Sequence, residues 1–197
     1  VNEKALHDLI AEMLDESAQE ERREAAALAL GALGDDTLPR LRASLQTGDA
    51  DHRWWSARAL AALGTPAAVS LLIETLSDPD PDVRACAAMG LGALAAPEAV
   101  VPLTRLLADE SVYVARIAGN ALIQIGEPAV PALIGALNSE SSAARAGAAR
   151  ALIPLAASGH DAIPALFAAL DDESALVTYY AEEALERMGV GMVFVKP

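Results

Sequence analysis

Val83 to Leu107 reads VRACAAMGLGALAAPEAVVPLTRLL: a helix, a tight break and a second helix. Val83, Ala87, Met89 or Gly90, Leu91 and Leu94 recur at spacings of three and four, the period of one helix face. Asp78, Asp80 and Asp82 precede this run, with two prolines between them. They supply N-cap oxygens and negative charge at the positive end of the helix dipole. Ala95, Ala96 and Pro97 form the break. Pro102 falls in the first turn of the second helix, where a missing amide proton costs nothing. Val100, Leu103 and Leu107 give that helix its buried stripe.

The unit repeats along the chain in two leucine registers. Leu14, Leu45, Leu76, Leu107, Leu137 and Leu170 close the second helices, at separations of 31, 31, 31, 30 and 33 residues. Leu33, Leu63, Leu94, Ile125, Leu155 and Met188 close the first helices, at 30, 31, 31, 30 and 33. A period in this range signals stacked units, none of which buries its apolar face alone.

The segments VRACAAMGLGAL, ARAGAARALIPL and HRWWSARALAALG resemble the HEAT-like repeats first named from phycobilisome (bilin) lyase subunits. The resemblance covers nearly the whole chain. It implies an all-α fold, a right-handed α-α superhelix (a HEAT-like α-solenoid) of about five to six helix pairs. It is weak for function, because the family is mostly binding scaffolds with a few enzymes.

Composition fits this reading. Of the 197 residues 53% are hydrophobic and only 4% aromatic, so the apolar surface is mostly Ala and Leu, suited to close helix packing. The formal net charge is −14. A nucleic-acid binder needs a basic track to neutralise phosphates, and the chain has none. An acidic chain also avoids anionic membranes. The expectation is therefore a protein or peptide partner, no nucleic acid, no membrane and a cytoplasmic location. Cys86 is the one cysteine, which excludes an intrachain disulfide; it sits at an Ala position of its helix, as a small buried apolar residue would.

The organisation read from the registers is a single repeat domain. It holds a half repeat at 1–15, repeats at 16–47, 48–78, 79–109, 110–139 and 140–172, and a terminal helix and tail at 173–197. Predicted first helices span 21–33, 51–63, 82–94, 111–125, 142–155 and 174–188. Predicted second helices span 2–14, 38–45, 67–76, 98–107, 129–137 and 162–170. The β-branched, Gly-flanked Val190–Pro197 breaks the pattern; it reads either as a cap over the last helix or as a bare chain end.

Arginine recurs at the second position of the first helices: Arg23, Arg53, Arg84 and Arg145. Glu16, Asp49, Asp51, Asp78, Asp82 and Glu140 lie in the loops before them. By the resemblance this is the Asp–Arg ladder that staples neighbouring repeats, for which a planar guanidinium is suited. The ladder breaks at Ala115 and Thr178, with Arg116 one position later.

His7, His52 and His160 lie on different repeats, and no paired His–Glu motif is present, so neither metal nor cofactor is expected. No catalytic motif is present either. Trp54–Trp55 and Tyr179–Tyr180 occupy equivalent helix positions. Trp55 and Tyr180 replace an inward Ala and should fill the seam between helices; Trp54 and Tyr179 should face outward as an aromatic patch. Bilin lyase subunits carry similar pairs, as the resemblance has it.

The resemblance implies a concave face lined by second helices. Two residues before each closing leucine stand Glu12, Ala43, Glu74, Arg105, Gly135 and Ala168; five before stand Leu9, Arg40, Leu71, Pro102, Ala132 and Ala165. The expected partner site is Arg40, Glu74, Arg105, Ala132, Gly135, Ala165 and Ala168. Helix propensity alone also accounts for the alanines. The function expected is a non-catalytic protein-interaction scaffold, with a bilin lyase or bilin-lyase-like chaperone subunit as the alternative.

Overall fold

The computed structural model describes residues 3–190. Among them the α-helices are α1 Glu3–Leu14, α2 Glu20–Ala32, α3 Leu38–Thr47, α4 Ala50–Leu63, α5 Pro66–Thr75 and α6 Pro81–Ala93. They continue with α7 Val100–Arg105, α8 Val112–Ile125, α9 Val130–Ala136, α10 Ser142–Leu152, α11 Ile163–Ala169 and α12 Ala175–Arg187. No strand occurs among the described residues. The fold is the all-α stack of helix pairs expected from the two leucine registers. The segment from residue 191 onward, where a terminal cap was considered, lies outside the described residues.

The chain forms two compact units, Val1–Ala99 and Val100–Pro197. In the first, α2, α4 and α6 stack in sequence, and α3 and α5 pack against them. In the second, α8, α10 and α12 stack in the same way against α7, α9 and α11. Fully buried leucines hold both cores: Leu30, Leu41, Leu60, Leu72 and Leu91 in the first, Leu103, Leu122, Leu133, Leu152 and Leu166 in the second. Each such side chain contributes about 1.5–3 kcal/mol by leaving water.

Short polar side chains start the first helices. Asp80 accepts from the backbone N–H groups of Asp82 (2.9 Å) and Val83 (3.3 Å). Asp49 accepts from His52 N–H at 2.9 Å. Ser111 and Ser141 hold the same position before α8 and α10. Such oxygens satisfy amides that the helix itself leaves without partners.

Four of the five breaks between paired helices, all but that between α10 and α11, carry a residue at positive φ. Gly34, Gly64 and Gly126 supply it at φ 77°, 63° and 83°, and Ala95 stands at the same register with φ 49°. Small residues also set helix spacing. A Cβ on Gly31 would come within 2.7 Å of the Ala62 backbone, and one on Gly90 within 2.7 Å of Ala61 Cβ.

Several expected boundaries shift. The helix read over 98–107 is a 3-10 turn at Pro97–Ala99, then α7, then a second 3-10 turn at Leu106–Ala108. The helix read over 142–155 stops at Leu152, because Pro154 lacks an amide and disfavours helical geometry before it. Met89 is exposed, and Gly90 takes the buried position.

Candidate functional site

The recurrent arginines are the best-defined polar features. Arg53 donates from Nε to Asp78 Oδ2 (2.7 Å), from Nη2 to Asp78 Oδ1 (2.8 Å) and from Nη1 to the Gly48 carbonyl (3.1 Å). Arg145 does the same with Asp172 (2.6 and 3.0 Å) and with the Ser139 and Glu140 carbonyls (2.9 and 3.1 Å). Arg23 pairs through both terminal nitrogens with Asp51, and its Nε donates to the Met13 carbonyl at 2.8 Å. Arg84 Nη1 donates to the carbonyls of Asp78 (2.8 Å) and Pro79 (3.1 Å).

The geometry shows which acid each arginine takes. In the three pairs described, the carboxylate lies C-terminal to the arginine, in the loop before the next first helix for Asp78 and Asp172 and on α4 itself for Asp51, while the stretch before the arginine offers carbonyls. Glu140 thus meets Arg145 through its backbone, and Arg23 turns to Asp51. The reason is reach: a guanidinium has five N–H donors, enough to tie the chain before its own helix and an acid further along at once. The Arg145 guanidinium, helped by the Ser174 N–H and opposed by burial, holds the Asp172 carboxyl below its usual range. Its own pKa, like that of Arg53, is pushed up by the carboxylate it binds.

A second set of cross-repeat contacts escaped the sequence reading. Arg58 pairs with Glu24, and Arg150 donates to Asn120 Oδ1 (3.3 and 3.2 Å). Both arginines sit five residues after the ladder position, a register that could have revealed them. At the breaks in the ladder, Thr178 Oγ1 donates at 3.4 Å to the Asp172 and Ser174 carbonyls. Arg116 is exposed and lies 5.5 Å from the Tyr113 ring centroid.

The candidate partner residues fall in both units. In the first, Arg40 and Glu74 are exposed, while Leu71, at the same register as Arg40, is buried in the core. In the second, Arg105, Gly135 and Ala168 are exposed and Ala132 and Ala165 half-buried. The sequence reading passed over exposed Phe167 beside Ala168, and exposed Val101 on α7.

The aromatic pairs differ from each other. Trp55 is buried and its ring lies under the Arg23 guanidinium, 4.8 Å from centroid to Cζ. Trp54, expected on the outside, is half-buried edge-on to Trp55 at 4.8 Å. Tyr179 is 57% exposed, and Tyr180, expected in the seam, is only half-buried.

The fold also assembles a His–carboxylate cluster that linear motifs did not reveal. Glu16, Asp49, Asp51 and His52 each bring a ligand atom within 4.8 Å of the others. One nitrogen and three carboxylates can hold a divalent cation chemically. In the structure these groups serve the fold: Asp51 binds Arg23, Asp49 caps α4, and His52 Nε2 lies 3.2 Å from the Leu14 carbonyl. Cys86 is buried, and burial pushes its thiol pKa up to about 12, far from that of a nucleophile.

Stacked antiparallel helix pairs, arginines bridging successive repeats and small residues at helix contacts define an α-helical repeat protein. A family model for HEAT repeats matches residues 6–76, 43–123 and 102–186, and the chain belongs to that family. A comparison with curated proteins finds no match. Among solved structures, the chain is similar to the complex of CpcE and CpcF of phycocyanin lyase from Nostoc sp. PCC7120. Identity there is 27%, over 93% of this chain and 77% of that one, with a TM-score of 0.51. An engineered protein gives 24% identity over 94% and 97%, with a TM-score of 0.52. A designed armadillo repeat protein in complex with the peptide (KR)4 gives 18% over 93% and 99%, also at 0.52.

Proposed function

We propose that the chain is a non-catalytic protein-interaction scaffold whose partner docks on the second helices. In the second unit the docking surface is Arg105, Ala132, Gly135, Ala165 and Ala168. The observation that carries this reading is exposed surface on these helices: Phe167, next to Ala168 in the chain, and Val101 on α7 are exposed large apolar residues, and Gly135 and Ala168 are exposed small ones. Small residues let a partner backbone approach, and exposed large apolar groups supply contact area. Arg105 then fixes register by a charged contact. In the first unit Arg40 and Glu74 offer polar contacts on the equivalent helices. Membership of a repeat family supports the reading, as does a designed repeat protein of the same fold class that holds a peptide. The test is affinity for a partner captured by the wild-type chain and identified by mass spectrometry. Gly135→Glu with Ala168→Glu, both exposed, should abolish binding with helicity intact; unchanged affinity would refute the site.

A second reading, a bilin lyase or bilin-lyase-like chaperone subunit, is supported by the similarity to the phycocyanin lyase complex and by the two aromatic pairs. Incubation with free bilin and an apo-phycobiliprotein should then change visible absorbance or fluorescence. A spectrum identical to that of the mixture without the chain would dismiss it.

A further inference from the structure

Helix α12 departs from the rule that the first helices before it follow. Four residues after the ladder position stand Ala27, Ala57, Ala88, Gly119 and Ala149, all buried. Eight after it stand Gly31, Ala61, Gly92, Ile123 and Ile153. These positions face the following repeat: Gly31 abuts Ala62 of α4, and Gly119 lies under the Arg150 guanidinium of α10. In α12 the same two positions hold Glu182 and Glu186, both exposed. One position after the ladder stands Tyr179, 57% exposed, and one turn before it Leu176, 52% exposed. Glu183 is taken by Arg187 on its own helix, at 3.7 Å. Among the described residues neither Glu182 nor Glu186 has an ion-pair partner.

The chain itself shows how such a face is filled. Glu24 occupies on α2 the position Tyr179 occupies on α12, and Arg58 of the following helix reaches back to pair with it. Arg150 reaches back over α8 in the same way. An aromatic ring beside a carboxylate is likewise a guanidinium site here, since Arg23 lies between Trp55 and Asp51. We propose that the open face of α12 seats a partner helix carrying arginine or lysine at its contact positions. That helix continues the stack of α8, α10 and α12, its cations over Tyr179, Glu182 and Glu186. A second copy of this chain, with net charge −14, is a poor occupant. The surface is separate from the second-helix site proposed above.

The test uses the whole chain and a fluorescein-labelled amphipathic helix of Ala and Leu with four arginines along one face, read by fluorescence anisotropy at low salt. Glu182→Gln with Glu186→Gln should weaken binding about tenfold, the sum of two exposed ion pairs. Glu127→Gln with Glu140→Gln removes the same charge from exposed positions elsewhere in the unit and should change affinity less than about twofold. Tyr179→Ser should weaken binding as well. Equal losses in the two double variants would mean that the probe reads net charge alone, and would overturn the proposal. So would no binding by the wild type, which would make the face a solvent-facing cap. A gain in affinity on removing residues 191–197 would assign the face to the chain's own segment and overturn it too.

Discussion

Arg53→Ala offers the sharpest test of what holds successive repeats together. The guanidinium makes two bonds to Asp78, of 2.7 and 2.8 Å, and one of 3.1 Å to the Gly48 carbonyl. The side chains are only 16% and 8% exposed. Truncation leaves the Asp78 carboxylate with the Asp80 N–H, at 2.8 Å, as its donor. A hydrogen bond to a charged group is worth about 1.5–3 kcal/mol, and breaking a fully buried pair costs about 3–5. With partial exposure discounted, the expected loss is about 2–3 kcal/mol. Arg22, paired with Glu12 at 2.7 Å but 67% exposed, provides the contrast: Arg22→Ala should cost less than about 1 kcal/mol.

Urea denaturation read by tryptophan fluorescence suits the purpose. The chain's two tryptophans, Trp54 and Trp55, lie on α4 next to Arg53, so the signal reports the first unit. In about 1 M salt the small Arg22 effect should vanish, while most of the Arg53 effect should persist. Equal shifts in midpoint for the two variants would refute the reasoning, because burial would then not be what gives the pair its strength.

Other outcomes follow from local geometry. Gly31→Ala should destabilise by about 1–3 kcal/mol in the same urea assay, because the new Cβ meets the Ala62 backbone at 2.7 Å. Gly135→Ala, with open space around the position, should stabilise by about 0.5–1 kcal/mol through helix propensity. Cys86 should react with a thiol reagent at pH about 8 only as the chain unfolds, given a thiol buried and pushed up to about 12. The Asp172 carboxyl titrates below its unfolded value of 3.8. Its pairing with Arg145 therefore stabilises the fold fully above about pH 4 and is lost as the pH falls further. Thermal unfolding by circular dichroism should show that acid loss diminished in Asp172→Asn.

Much of the fold was legible because the repeat forces the same residue type to the same register. The closing leucines, the capping Asp and Ser residues and the glycines after the first helices each recur near a 31-residue step. The misreadings fall where local chemistry overrides the register. Pro154 cut α10 short, and the leucine register of the second helices could not foresee the 3-10 turns flanking α7. Burial was harder to read than register. Leu71 and Arg40 share a register, yet one is in the core and the other in solvent, because an apolar side chain turns inward wherever the neighbouring helices leave room. The His52 cluster was invisible in sequence, since Glu16 and Asp49 are brought together only by stacking.

The direction of the ladder has a further physical consequence. Were each arginine paired with the acid in its own preceding loop, the bond would stabilise one repeat by itself. The observed pairs Arg53–Asp78 and Arg145–Asp172 instead join a first helix to the loop that leads into the next first helix, and Arg23–Asp51 joins it to that next helix itself. Arg58–Glu24 adds a second tie between α2 and α4, and Arg150–Asn120 joins α10 to α8. In a repeat array stability is approximately the sum of intrinsic terms and nearest-neighbour terms. Here the charged bonds belong to the second kind, and the alanine-rich helices, with little apolar bulk of their own, supply little of the first. Within each unit, repeats should therefore unfold together rather than one by one. Hydrogen exchange within the first unit should then give α2 and α4 the same opening free energy, and Arg53→Ala should lower both. Independent opening of α2 in that variant, with α4 unchanged, would show that the bonds across repeats do not couple them.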